Sequence, residues 1–223
     1  MLATRNSEPQ IRIGRLELDG ISRWLGGAMQ RSAREQLATF FVKLLGALVV
    51  AGFLYGVMFF FAMRFFVRLG DEVLLFPLVP FGIGFVIQAF IHRKAHGVMH
   101  VNDELVRFAD EHSFMARDDE DFATQIFRWA LVPAWLFFSS FESLADAYRL
   151  SRTKPEPAAA ILAHLAASDR RVSIPEIEHR FGNKQLVRTI RGLLAFPGVL
   201  VSSRDVPCLL LSKDLGDELR QML

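Results

Sequence analysis

Three histidines recur at every fourth position, His92, His96 and His100, and Glu104 continues the same spacing. Residues four apart share a helix face, so neighbouring imidazoles there could hold a transition metal together or titrate together. An i, i+4 pair supplies two ligands, and a closed site needs a third from Asp103, Glu104 or another subunit. Arg93 and Lys94 sit in the same cluster. The favoured reading is therefore a cationic group facing phosphate headgroups, with no metal and no other cofactor. Asp118, Asp119, Glu120 and Asp121 form an acidic run in front of an apolar segment, which suits a solvated helix start better than a cation site. Cys208 is the single cysteine. It excludes an intrachain disulfide and a cysteine zinc site, and with Pro207 before it on an expected strand it reads as a structural thiol.

A second constellation is basic. Lys184, Arg188 and Arg191 stand at i, i+4 and i+7, one face of a helix, and Arg204 lies on a following turn. Such a face can contact nucleic-acid phosphates or an acidic partner. From Arg152 onward eleven Lys and Arg stand against eight Asp and Glu, a small excess for a nucleic-acid binder. There is no nucleophile elbow, phosphate loop or His-Glu-x-x-His pattern, so no enzyme is expected.

The elements that would position these residues are dominated by hydrophobicity. The chain has 223 residues, 52% hydrophobic, with 21 Phe and a net charge of +2. This excludes a disordered chain and argues against an ordinary soluble domain. Leu44–Met63 is twenty residues without a charge, the length that crosses a hydrocarbon core of about 30 Å. Val73–Ile91 is nineteen residues whose only strongly polar member is Gln88. The pair predicts a transmembrane helical hairpin over 37–92. Gly52 and Gly56 form a small-x-x-x-small pair that would let a second helix approach, from the second span or from another copy. Arg23, Arg31, Arg34 and Lys43 precede the first span, and Arg93 and Lys94 follow the second. This bias places both termini in the cytoplasm, at an inner or plasma membrane.

The flanks read as juxtamembrane. Over 1–36, Ile13, Leu16, Leu18, Ile21, Trp24, Leu25 and Met29 alternate with Arg12, Arg15, Arg23 and Arg31, as in an amphipathic helix lying on anionic lipid. Gly14, Gly20, Gly26 and Gly27 argue against a long helix there. Residues 93–150 are expected to be cytoplasmic and interfacial helices. Trp129–Phe141 is uncharged for thirteen residues, short for a span and suited to an interfacial position.

Residues 151–157 are polar and Pro-containing and read as a linker. In 158–223 the expected order is a helix near Ala158–Ser168, a short extended piece at Arg171 and Val172, and a helix opened by the capping box Ser173-Ile-Pro-Glu176. A turn at Gly182-Asn183, a helix over Lys184–Phe196, a hairpin of Val199–Val201 with Cys208–Leu211, and a last helix near Asp214–Leu223 follow. This order resembles the winged-helix fold, a helix-turn-helix variant. The resemblance implies that the third helix, with its basic face, is the recognition element.

The sequence thus predicts a mainly α protein, with a two-span hairpin, amphipathic flanks and a small α+β winged-helix-like domain. Its expected role is a membrane-anchored scaffold or adaptor. Its partners would be the bilayer, further copies or a membrane complex, and a protein rather than nucleic acid. A membrane-tethered DNA-binding regulator and a subunit of an oligomeric channel or transporter are the alternatives. The channel is disfavoured because neither span carries a carboxylate.

Overall fold

A computed structural model describes residues 15–65, 78–94, 96–109, 122–168, 171–202 and 206–223. These form seven helices and five short strands. In chain order they are α1 (Arg15–Phe65), α2 (Leu78–Lys94), β1 (His96–Val101), β2 (Glu104–Ala109), α3 (Phe122–Arg152), α4 (Pro155–Ala167), β3 (Arg171–Ser173), α5 (Ile174–Phe181), α6 (Leu186–Leu194), β4 (Val199–Ser202), β5 (Cys208–Leu211) and α7 (Lys213–Met222). The protein is mainly helical with two small antiparallel sheets. The chain divides into two compact units.

The first unit gathers three separate stretches of sequence, whose described residues lie in 15–29, 101–104 and 152–223. Its centre is α4, which packs against α6, α7 and the sheet. Ile161, Leu162 and Leu165 of α4 are buried, as are Ile177, Ile190, Leu193, Leu209 and Leu219 from the surrounding elements. The sheet order is β3-β5-β4, with β5 in the centre and antiparallel to both neighbours. Val172 pairs with Leu209, and Leu200 with Leu210. Helix ends are set by local chemistry. The Ser173 hydroxyl accepts the Glu176 N–H at 3.4 Å with Pro175 in the first turn of α5, and Ser212 accepts the Leu215 N–H at 3.4 Å to open α7.

Three expectations change here. The Gly-rich N-terminal stretch does not break the helix, because α1 continues through Gly20, Gly26 and Gly27. Nor is its apolar stripe left open for lipid along its length: Ile21, Leu25 and Met29 are buried within the first unit, while Leu16 is exposed. Trp24 meets Phe196 edge-on at 6.3 Å, and Gly26 lies close to Pro155. Burying three large apolar side chains outweighs the roughly 1 kcal/mol helix cost of each glycine. The expected linker at 151–157 is also absorbed. Only Thr153 and Lys154 separate α3 from α4, and Thr153 is buried against Gly192 of α6.

The second unit comprises 30–100 and 105–151. Here α1 meets α3 through Phe40 and Phe141, with ring centroids 6.0 Å apart. Phe85 of α2 packs on Phe137 and Phe138 at 5.1 and 4.8 Å. A small apolar cavity of about 120 Å³ remains where Ala47, Ala51, Gly84, Pro133 and Ala134 come together. Helix α3 runs through Pro133 without ending. Ser139, Ser140 and Ser143 are buried, but each hydroxyl donates to a carbonyl of its own helix, Leu136, Phe137 and Ser139 respectively.

Among the described residues, one helix is long and apolar enough to cross a membrane, α1. The described part of α2 has 17 residues and begins at Leu78. This differs from the nineteen-residue second span expected from the sequence; 73–77 lie outside the described residues. Residues 93–150 also differ from expectation, since 96–109 form a β-hairpin rather than helix.

Candidate functional site

The α5–turn–α6 face is built by the first unit's own core. Leu186, Val187, Thr189, Ile190, Gly192 and Leu193 are the buried side of α6, which leaves Arg188 exposed and Arg191 half-buried. The turn before α6 is shaped by Asn183, whose side-chain oxygen accepts the Gln185 N–H at 2.8 Å and whose carbonyl accepts the Leu186 N–H at 3.0 Å. The helix starts at Leu186 rather than Lys184. The expected three-cation helix stripe therefore reduces to Arg188 and Arg191, with Lys184 exposed in the turn. Arg204 lies outside the described residues.

This face carries a visitor from elsewhere in the chain. The tip of the β1–β2 hairpin, 101–104, belongs to the same compact unit. Asn102 and Asp103 have φ of 46° and 62°. Both are left-handed, the geometry of a tight two-residue hairpin turn that Asn and Asp tolerate. The Asn102 backbone N–H donates to Glu178 Oε1 at 2.6 Å. Asn102 Nδ2 donates to the Asn183 carbonyl at 3.2 Å. Glu104 Oε2 lies 3.4 Å from Arg191 Nη2. Val101 is fully buried at the base of the tip. Helix α5, the turn and the last turn of α6 are thus engaged by an acidic β-turn.

The histidine series is not a helical ladder. His92 ends in α2, His96 and His100 both lie on β1, and Glu104 starts β2. Four residues along a strand span about 13 Å, too far for His96 and His100 to share one ion. Among the described residues no group of three His, Cys, Asp or Glu could hold a metal. Glu104 instead serves the tip contact. Gly52 and Gly56 have open space where a Cβ would stand, with no helix against either among the described residues. Cys208 is buried on β5 and donates to the Val206 carbonyl at 3.2 Å. The acidic run 118–121 lies outside the described residues.

Two polar groupings had no warning in the sequence reading. His164, buried on α4, has Nε2 3.1 Å from Glu176 Oε1 and Nδ1 3.5 Å from the Ser168 hydroxyl, with the Phe181 ring tilted against it at 5.8 Å. The order serine, histidine, carboxylate is that of a nucleophilic triad. Ser168, however, is the C-cap of α4, and the grouping ties the end of α4 to α5. In the second unit, Lys43 Nζ donates to Ser143 Oγ at 3.2 Å and reaches the Ser139 carbonyl at 3.5 Å. Nearby Asp146 is pushed above the ordinary carboxylate range by burial, an effect opposed by Arg149 at 2.8 Å. The i, i+4 histidine spacing masked a legible signal for the hairpin. Met99-His100-Val101 and Val106-Arg107-Phe108 each place a polar residue between two apolar ones on either side of Asn102-Asp103.

Comparison with family models, with curated proteins and with solved structures finds no match to this chain.

Proposed function

We propose that the protein is a membrane-anchored adaptor. In this reading a helical hairpin fixes its position, and the first unit, arranged like a winged helix, presents the α5–α6 face to a protein partner. The observation that carries the membrane part is the surface of α1. Phe41, Val42, Leu45, Leu48, Val49, Phe53 and Phe60 are all at least 60% exposed. Only 6% of the helix's most apolar 18-residue window is buried. A core helix of a soluble protein hides such side chains, whereas lipid solvates them.

The composition of the first unit supports a return crossing. It holds 15–29, 101–104 and 152–223 in one body, so those stretches share one side of the membrane. A chain that leaves through 44–63 must come back before Val101. The described helix in that interval is α2, whose 17 residues extend about 26 Å. Val79, Ile83, Val86 and Phe90 of α2 are exposed in the same manner as the α1 stripe. By the same logic 105–151 begins and ends on that one side, which supports an interfacial rather than spanning α3. The Lys and Arg flanks then favour the cytoplasm for this side, at an inner or plasma membrane.

The adaptor role draws on the helix order α4, α5, α6 followed by the β4–β5 pair and on the absence of enzyme motifs in the sequence. Native mass spectrometry of the complex, extracted from its own membrane in mild detergent, tests it. A defined homo-oligomer or a stoichiometric protein neighbour is expected. A bare monomer that retains nucleic acid at low salt and loses it at high salt refutes it in favour of a tethered DNA-binding regulator.

A further inference from the structure

The hairpin tip shows what chemistry the α5–α6 face recognises. It offers three things: a backbone N–H to the Glu178 carboxylate, a side-chain amide to the Asn183 carbonyl, and a carboxylate to Arg191. It leaves cationic capacity over. Lys184, next in sequence to Asn183, and Arg188, three residues before Arg191 on α6, are exposed, and neither has an ion-pair partner among the described residues. The polar contacts of the tip are also of a kind that exchanges readily. The Arg191 and Glu104 side chains are 41% and 61% exposed, and an ion pair so open to water holds weakly.

We propose that the α5–turn–α6 face is a docking site for an acidic β-turn of a partner protein, and that the 101–104 tip occupies it in cis as a competitor that the partner must displace. This rests on the adaptor reading and names the chemistry of its partner. Glu178 decides between acidic partners. A protein turn supplies N–H donors that satisfy its carboxylate. A DNA backbone presents only acceptors and negative charge at that point, so Glu178 repels it. A partner turn richer in acid than Asn102-Asp103-Glu104 gains Arg188 and Lys184 as well as Arg191. Because the tip is tethered, it competes at a high local concentration, which sets a threshold for the incoming segment.

The test uses the full chain in lipid nanodiscs and three fluorescent probes: a cyclised peptide of this chain's own 98–107, a poly-glutamate peptide, and a random-sequence DNA duplex. An opened variant carries Asn102→Gly with Glu104→Gln. Glycine accepts the left-handed backbone at 102, so the hairpin itself is kept. The opened variant is expected to bind the 98–107 peptide and poly-glutamate about tenfold more tightly than the unmodified chain. Adding Arg191→Ala to it is expected to abolish the gain. Equal binding by opened and unmodified chains overturns the competition. Preferential binding of the duplex by the opened variant overturns the acidic-turn assignment. Native mass spectrometry on the same preparations reads the adaptor proposal separately. Intact competition with no protein neighbour defeats the adaptor reading alone, and a neighbour with equal probe binding defeats the cis competition alone.

Discussion

Leu16 and Leu25 lie on the same helix and have opposite surroundings, which makes them a sharp test of where the N-terminal part of α1 rests. Leu25 is completely buried in the first unit, and Leu16 is 87% exposed. Truncating a buried leucine to alanine costs the lost transfer energy plus the cavity left behind, about 2–5 kcal/mol. Truncating an exposed one costs within about 0.5 kcal/mol. With a urea slope of about 1–3 kcal/mol per molar, Leu25→Ala lowers the unfolding midpoint of the first unit by roughly 1–3 M, and Leu16→Ala leaves it in place. Trp24 packs on Phe196 in this unit. Replacing Trp129 and Trp135 with Phe leaves Trp24 as the sole tryptophan and hence the fluorescent reporter. The experiment is run on the full chain in detergent micelles. If the stripe rested on lipid instead, Leu25→Ala would exchange one apolar side chain for another in an apolar solvent, and the midpoint would not move. An unchanged midpoint for Leu25→Ala therefore refutes the packing argument.

Other consequences are as direct. Gly192→Ala places a Cβ onto the buried Thr153 side chain. It should destabilise the first unit by about 1–3 kcal/mol despite alanine's better helix propensity, and Thr153→Gly in the same chain should recover part of the loss in a urea titration. Asp146 has a raised pKa in the folded chain. Its contribution to stability is full below the ordinary carboxylate value of about 3.9 and is lost as pH rises through the raised value. Asp146→Asn should flatten that part of the stability–pH curve measured by thermal unfolding; an unchanged curve would contradict the burial. Lys43→Met removes the donor to Ser143 and the Ser139 carbonyl. Both acceptors keep their bonds within α3, so the loss should stay near 1 kcal/mol, read from the thermal midpoint of the second unit. A loss several times larger would show that the contact holds α3 in place.

Much of the first unit was legible because its signals are local. The Ser173-Ile-Pro-Glu176 cap and the Gly182-Asn183 turn each act within a few residues, and the helices and strands fall close to where these place them. The uncharged 44–63 run was legible for the same reason. What escaped needed contacts distant in sequence. The helix segment that carries Ile21, Leu25 and Met29 meets protein through Trp24 on Phe196 and Gly26 beside Pro155, partners some 130 to 170 residues away. The basic face of α6 was visible, but its occupant was not, because 102–104 and 178–191 share no local pattern. The histidine series failed for a different reason. Spacing of four satisfies a helix and a strand face alike, and the Asn102-Asp103 turn, not the histidines, selects the strand.

The first unit is assembled from stretches at both ends of the chain and one in the middle. During synthesis its opening segment emerges long before its core. At about 5–20 residues per second, roughly 10–30 s separate Met29 from Leu193 on the ribosome. Through that interval Ile21, Leu25 and Met29 have no folded surface to cover them, while the apolar run that follows is already available to the insertion machinery. On the membrane-anchored reading proposed above, insertion precedes closure of the first unit, and an aborted or truncated chain would leave a sticky apolar helix at the membrane. Quality control of this protein would have its handle there: the exposure of those three side chains reports whether the far end of the chain has arrived.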